Sequence, residues 1–212
     1  MSSPAHDSHG KGGHGKKTNG PLGPILDFLN GIDHWAHHFH LNVPIFVALC
    51  ATSYVVYSSQ RPLGVIIFLV GVTWFFKEPI EHMFDTAKLE WDIDLVFPAM
   101  ILAVFYYGLT AGLILAVMGT YFFKGRNPRE ANLTVIPRDF AARAFVAFSA
   151  YLVTDTSTLT SYGVFASIIY YVVIHVAVEL PHGMLPLFEV TDLLFNLILA
   201  LVLFLQIFPL IL

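Results

Sequence analysis

Residues 75–94 read FFKEPIEHMFDTAKLEWDID, an acidic and histidine-containing stretch between two strongly apolar segments. We call it the first acidic/His stretch. A second acidic/His stretch, residues 175–192, reads HVAVELPHGMLPLFEVTD and has the same character. An imidazole or a carboxylate inside an apolar span is costly and indicates a function, as at His175 and Glu179, whereas the same groups in an interfacial loop are ordinary. The two stretches are therefore the candidate functional segments of the chain.

The composition indicates a membrane protein. Of the 212 residues, 56% are hydrophobic and only 12% are charged, with a mean hydropathy of +0.69. Soluble domains carry about 25% charged residues. We predict an all-α, polytopic membrane helix bundle whose main partner is the lipid bilayer. The net charge of -4 gives no nucleic-acid footprint, and the single Cys50 excludes an intrachain disulfide.

Two segments precede the first apolar run. Residues 1–20 are rich in Gly, His and Lys and are predicted to be a flexible arm. Residues 21–40 have apolar side chains at helical spacing, which predicts an amphipathic helix in the membrane interface with Trp35 at headgroup level. His34 and His38 are four residues apart and suit a metal pair, although they also suit a solvated polar face.

The hydropathy pattern predicts six membrane spans, of which the third is unusually long and the fourth short. Gly108 and Gly112 in the third span form a GxxxG pair that allows close helix contact. The basic loop 124–143 is predicted to be cytoplasmic, with both termini on the other side. The spans are 41–58, 62–76, 95–123, 141–154, 162–178 and 187–212.

The two halves of the chain resemble each other at a shift of 98 to 101 residues. Phe46 corresponds to Phe145, and Gly64 to Gly163, at a shift of 99. We predict a three-span repeat in 41–124 and a second in 141–212, joined by a basic linker at 125–140. An odd number of spans per repeat gives inverted topology and puts the two acidic/His stretches on opposite membrane faces.

The spacing inside each stretch suits ion or metal binding. Glu78 and His82 are four residues apart, as are His175 and Glu179, and His182 lies seven residues after His175. We expect Pro79 and Pro181 to break the helices there, which exposes polar backbone groups. Weaker candidates are Glu81, Glu189 and Asp192.

Two kinds of chemistry fit these groups. Carboxylate and imidazole form a good ligand set for a divalent transition metal such as Zn, Fe, Mn or Cu. Alternatively, partly desolvated Glu and His side chains load and release protons. Asp85, Glu90, Asp92 and Asp94 are instead expected in a solvated loop that caps the third span.

Three functions remain open from the sequence. The first is movement of protons, metal ions or a small solute through a pathway with an acidic/His stretch at each mouth. The second is a metal-dependent membrane enzyme or an integral subunit of one. The third is a structural subunit of a larger membrane complex, with membrane proteins or further copies of the chain as partners.

Overall fold

The structure is a computed structural model that describes residues 43–86, 93–124, 135–153, 155–174 and 187–212. These residues are helical apart from short connections and include no strand, which confirms the all-α prediction. The helices are α1 Val43–Ser59, α2 Arg61–Thr86, α3 Val96–Tyr107, α4 Leu109–Val117, α5 Val135–Leu152, α6 Leu159–Ile168 and α7 Leu187–Val202.

Three of these helices continue in π-helical turns. α4 continues through Met118–Lys124, and α6 through Ile169–Ile174. α7 continues through Leu203–Ile207 and ends with one further α-helical turn at Phe208–Ile211. A 3₁₀ turn at Thr156–Thr158 precedes α6.

Helices α1 and α2 form a tight antiparallel hairpin around Gln60. The Ser53 hydroxyl donates to the carbonyl of Gly64 at 2.7 Å, near the turn. At the far end the rings of Phe46 and Phe75 stack with centroids 4.2 Å apart. The helices approach closely because Gly64 has no side chain.

Helices α3 and α4 form a second hairpin, where the sequence predicted one long span. Gly108 has φ 87° and ψ 177°, a backbone conformation that is almost restricted to glycine. Beyond it the chain folds back, so that Gly112 packs against Val104 and Gly119 lies beside Val96. The GxxxG pair thus builds this hairpin: Gly108 makes the turn and Gly112 allows the close contact.

Helix α3 is the core of the bundle. Every residue from Val96 to Phe105 is buried, because α3 is apolar on all its faces and neighbours surround it. A helix that is apolar on all its faces is typical of a protein core or of a membrane span.

Helices α5 and α6 are antiparallel. At one end the hydroxyls of Ser149 and Tyr162 are 2.6 Å apart. At the other end the Tyr170 hydroxyl donates to Asp139 at 2.6 Å. The Tyr162 ring also lies 5.6 Å from the ring of Phe105, close to the α3–α4 turn.

Helix α7 runs in the same direction as α3. In the middle of α7, Asn196 accepts a hydrogen bond from the backbone N–H of Asp94 at 2.8 Å. At its far end, the carbonyl of Ile211 accepts a hydrogen bond from the Tyr57 hydroxyl at 2.8 Å. The chain therefore finishes beside the α1–α2 turn.

The helices alternate in direction, so the bundle has two ends. Helices α1, α3, α5 and α7 start at one end, which we call the Asp94 end. Helices α2, α4 and α6 start at the other, the Gly108 end. The first acidic/His stretch runs from the end of α2 to the start of α3, and the second from the end of α6 into α7. Both stretches are therefore attached at the Asp94 end.

This arrangement corrects the predicted inverted topology. The reversal at Gly108 adds one helix, α4, between the two proposed repeats. Helices α5, α6 and α7 consequently run in the same directions as α1, α2 and α3. The internal duplication stays a prediction, but with parallel rather than inverted halves.

Two local expectations also change. α2 continues through Pro79 to Thr86, although that proline cannot donate a helical hydrogen bond. α5 already begins at Val135, so Arg138 and Arg143 are on a helix rather than in the predicted basic loop 124–143.

One helix in the described part of the chain is long and apolar enough to cross a membrane, Leu193–Ile211. Four shorter apolar helices accompany it. They are Val43–Ser59, Arg61–Phe76, Val96–Tyr107 and Leu109–Tyr121.

Candidate functional site

A buried ion pair lies at the Asp94 end. Arg143 on α5 places Nη2 at 2.7 Å from Oδ2 of Asp94 and Nη1 at 3.3 Å from Oδ1. The Arg143 side chain is only 1% exposed and that of Asp94 12%. Two parallel contacts between a guanidinium and a carboxylate form the strong, directional type of ion pair.

Asp139, one helical turn before Arg143, is the second carboxylate of the cluster. Its Oδ2 lies 2.9 Å from Nε of Arg143 and accepts a hydrogen bond from the Thr120 hydroxyl at 3.2 Å. Its Oδ1 accepts from Tyr170. The guanidinium also lies 5.3 Å from the centre of the Tyr170 ring, a cation–π contact.

The backbone of Asp94 is bound as firmly as its side chain. Its N–H donates to Asn196, and its carbonyl accepts from the Tyr171 hydroxyl at 3.3 Å. Its Oδ1 also accepts from the N–H of Phe97 at 3.2 Å, within the first turn of α3. The predicted capping role is therefore present. The predicted solvated loop is wrong for Asp94, because Arg143 draws it into the bundle.

The π-helical turns help to build the cluster. Thr120 lies in the turn after α4, and Tyr170 and Tyr171 lie in the turn after α6. The ring of Phe97 stacks on Tyr170 at 4.3 Å and meets Tyr171 edge-on at 5.3 Å. Such wide turns often occur at functional positions. Here two consecutive tyrosines both reach the start of α3.

The geometry defines what the cluster can do. Each of the three guanidinium nitrogens of Arg143 contacts a carboxylate, so they are already engaged by Asp94 and Asp139. Desolvating these charges is costly, and the pairing offsets that cost. The arrangement holds helices in place; it does not present an open anion site.

The cluster brings the borders of the two acidic/His stretches together. Asp94 is the last residue of the first stretch. It contacts Tyr171, four residues before the second stretch begins, and Asn196, four residues after it ends. One residue thus joins the first stretch to both borders of the second.

Most of the predicted ligand residues belong to the two stretches whose borders meet at this cluster. Glu78, Glu81 and His82 are on α2, and Glu189 and Asp192 are on α7, but their side chains lie outside the described part of the structure. The remaining candidates lie outside the described residues altogether. They are His34, His38, His175, Glu179 and His182. Their roles stay predictions.

Among the described residues, no three His, Cys, Asp or Glu side chains come close enough to hold a metal ion.

The sequence contains a local signal for one part of the cluster. Asp139 precedes Arg143 by four residues, the spacing of a helical ion pair, at the start of an apolar segment. Tyr170, Tyr171 and Asn196 carry no such signal, because only the packing of α6 and α7 against α3 brings them there.

Comparison with family models, curated proteins and solved structures found no match to this chain.

Proposed function

We propose that this chain is a multi-pass integral membrane protein. Large apolar side chains cover its outer surface and are too numerous for a soluble monomer. Strongly exposed examples are Tyr54 (75%), Leu152 (69%), Phe145 (63%), Phe165 (63%) and Leu210 (84%). Lipid is the surrounding that accommodates such a surface on every side of a helix bundle.

The α3–α4 hairpin fits this environment. α3 has 12 residues, about 18 Å at 1.5 Å per residue, which is shorter than the hydrocarbon layer of about 30 Å. Its burial shields it from lipid. Short helices at membrane depth are tolerated where protein covers them. The hairpin returns the chain to the Asp94 end, whether Gly108 lies inside the hydrocarbon layer or at its far surface.

The basic residues favour an Asp94 end that faces the cytoplasm. Of the 11 Lys and Arg residues, Arg61 alone belongs to the Gly108 end and Arg143 is buried in the cluster. Along the chain, the other nine belong to segments that precede α1 or adjoin helix ends at the Asp94 end, a distribution that the positive-inside rule predicts for a cytoplasmic face. They are Lys11, Lys16, Lys17, Lys77, Lys88, Lys124, Arg126, Arg129 and Arg138.

The other ionisable residues have the same distribution. All 10 histidines, and every acidic residue except Asp155, belong to segments attached at the Asp94 end. Asp155 follows α5, where the backbone N–H of Ser157 holds the pKa of its carboxyl below the usual value. The chemistry of the chain is therefore concentrated at one membrane face.

On this basis we propose that the two acidic/His stretches hold a divalent transition metal between them at that face. Glu78 and His82 share one side of α2, and His175, Glu179 and His182 would supply the remaining ligands. The observation that carries the proposal is the contact of Asp94 with both Tyr171 and Asn196. The metal ion could be Zn, Fe, Mn or Cu, and the chain a metal-dependent membrane enzyme or an integral subunit of one.

Metal analysis tests this proposal. The full chain, purified through a tag without histidine, is loaded with each metal and freed of excess. We expect wild-type protein to bind about one metal ion per chain. The double variant His82→Ala, His175→Ala should bind less than about 0.1 metal ion per chain. The matched control, His9→Ala combined with His14→Ala in the arm, should keep its metal. Wild-type protein with less than about 0.1 metal ion per chain would exclude the proposal.

The arrangement of the helices supports the other two hypotheses, a transport pathway and a structural subunit, less well. A transport pathway drew its support from acidic/His stretches at two opposite mouths, whereas both are attached at one end. Proton or metal flux into liposomes remains its test. A structural role in a larger complex would use the exposed apolar surface, but lipid covers that surface equally well.

A further inference from the structure

We propose that Arg143 and Asp94 are positioning residues that hold the two acidic/His stretches in register with each other. The inference deepens the proposed metal site and rests on it for its functional consequence. Its structural part, the register of the two stretches, can be tested without metal.

Asp94 is fixed from three sides by three different helices. Its carboxylate faces Arg143 on α5, its N–H faces Asn196 on α7, and its carbonyl faces Tyr171 beyond α6. The last residue of the first stretch can therefore move relative to Tyr171 and Asn196, which flank the second stretch, only if these contacts break.

Arg143 extends the connection through a second carboxylate. Asp139 contacts Nε of Arg143 and accepts a hydrogen bond from Tyr170. The series Asp94, Arg143, Asp139 and Tyr170 thus joins α3, α5 and α6 by polar contacts between buried or nearly buried groups.

We expect the cluster to fix the relative positions of the helices rather than to add much to the free energy of folding. Replacing a complete buried ion cluster by neutral groups of similar size is often neutral or stabilising, so such a cluster adds little to stability. A guanidinium that contacts two carboxylates at once does fix direction, because its nitrogens lie in one rigid plane. Lysine would keep the charge but not this geometry.

Removal of the cluster should lower the affinity of the proposed site for its metal ion. Groups that orient the ligands of a metal typically change its affinity by about 10- to 100-fold when they are removed. We expect removal of the cluster to weaken metal binding by about 10-fold or more, with the ligand residues themselves unchanged.

A spin-label distance measurement on metal-free protein tests the register. In a Cys50→Ser background, labels at Thr86→Cys and Met184→Cys report on the two stretches. The neutral triple variant Asp94→Asn, Asp139→Asn, Arg143→Met should broaden the distance distribution. The matched control, Arg61→Met with Asp155→Asn at the Gly108 end, should leave it unchanged. An unchanged distribution in the triple variant would overturn the inference.

Further measurements separate the outcomes. A metal affinity about 10-fold weaker in the folded triple variant, at an unchanged melting temperature, supports the positioning role. If wild-type protein binds no metal, the proposed function fails, and the spin-label distances still decide the register. If the triple variant does not fold, Arg143→Lys replaces it. A distance distribution as narrow as wild type in Arg143→Lys would then overturn the inference.

Discussion

Arg143 places a positive charge inside an apolar bundle, at 1% exposure. It is tolerated because Asp94 and Asp139 contact all three of its nitrogens. The reverse also holds: both carboxylates are largely removed from water, and each faces the same cation. A change at one member therefore affects all three.

Loss of the cation alone should be strongly destabilising. Arg143→Met leaves Asp94 and Asp139 without it, and we expect the free energy of unfolding to fall by about 3–5 kcal/mol. Unfolding of the purified chain in mild detergent by added SDS measures the change. The exposed Arg61→Met should shift it by less than about 0.5 kcal/mol. A loss below about 1 kcal/mol at Arg143 would show that the ion pair is not a connected unit.

The Arg143 cluster could be predicted from the sequence only in part. The Asp139–Arg143 pair has helical spacing, and the acidic residue before α3 was expected to cap it. The partner of Asp94 lies 49 residues away, and no local pattern encodes that contact. It follows from the packing of α5 against α3.

At the scale of elements, the turn at Gly108 decides the topology. The sequence indicated helices and their apolar character correctly, because hydropathy and composition carry that information. It did not reveal the reversal, because a glycine is tolerated inside a membrane helix and apolar residues flank it on both sides. One reversal then changed the count of helices and the relation between the halves.

Gly108 should be sensitive to any side chain. Gly108→Ala would adopt a backbone conformation that only glycine favours, and we expect a loss of about 1–3 kcal/mol in unfolding free energy. The matched control is Gly71→Ala in α2, where an added Cβ would make ordinary contact with Leu49 at 3.6 Å. That variant should be neutral or stabilised, by up to about 1 kcal/mol. Equal effects of the two variants would contradict the assigned turn.

At the scale of the whole molecule, the bundle has a charged end and a nearly uncharged end. The seven helices of the described residues alternate in direction, so the segments that contain the histidines, the lysines and nearly all acidic residues are attached at the Asp94 end. The predicted six-span topology put the lysines of the arm and the basic residues of the loop 124–143 on opposite membrane faces. With the added helix, the arm and that loop are both attached at the Asp94 end, because the arm precedes α1.

Topology labelling tests the central claim, that both acidic/His stretches lie on one membrane face. Single cysteines at Thr86, Met184, Gln60 and Ser157, in a Cys50→Ser background, are labelled in sealed vesicles with an impermeant reagent. We expect Thr86→Cys and Met184→Cys to react from the cytoplasmic side, and Gln60→Cys and Ser157→Cys from the other side. Pairing of Thr86 with Ser157, and of Gln60 with Met184, would instead restore the inverted six-span topology and contradict this account.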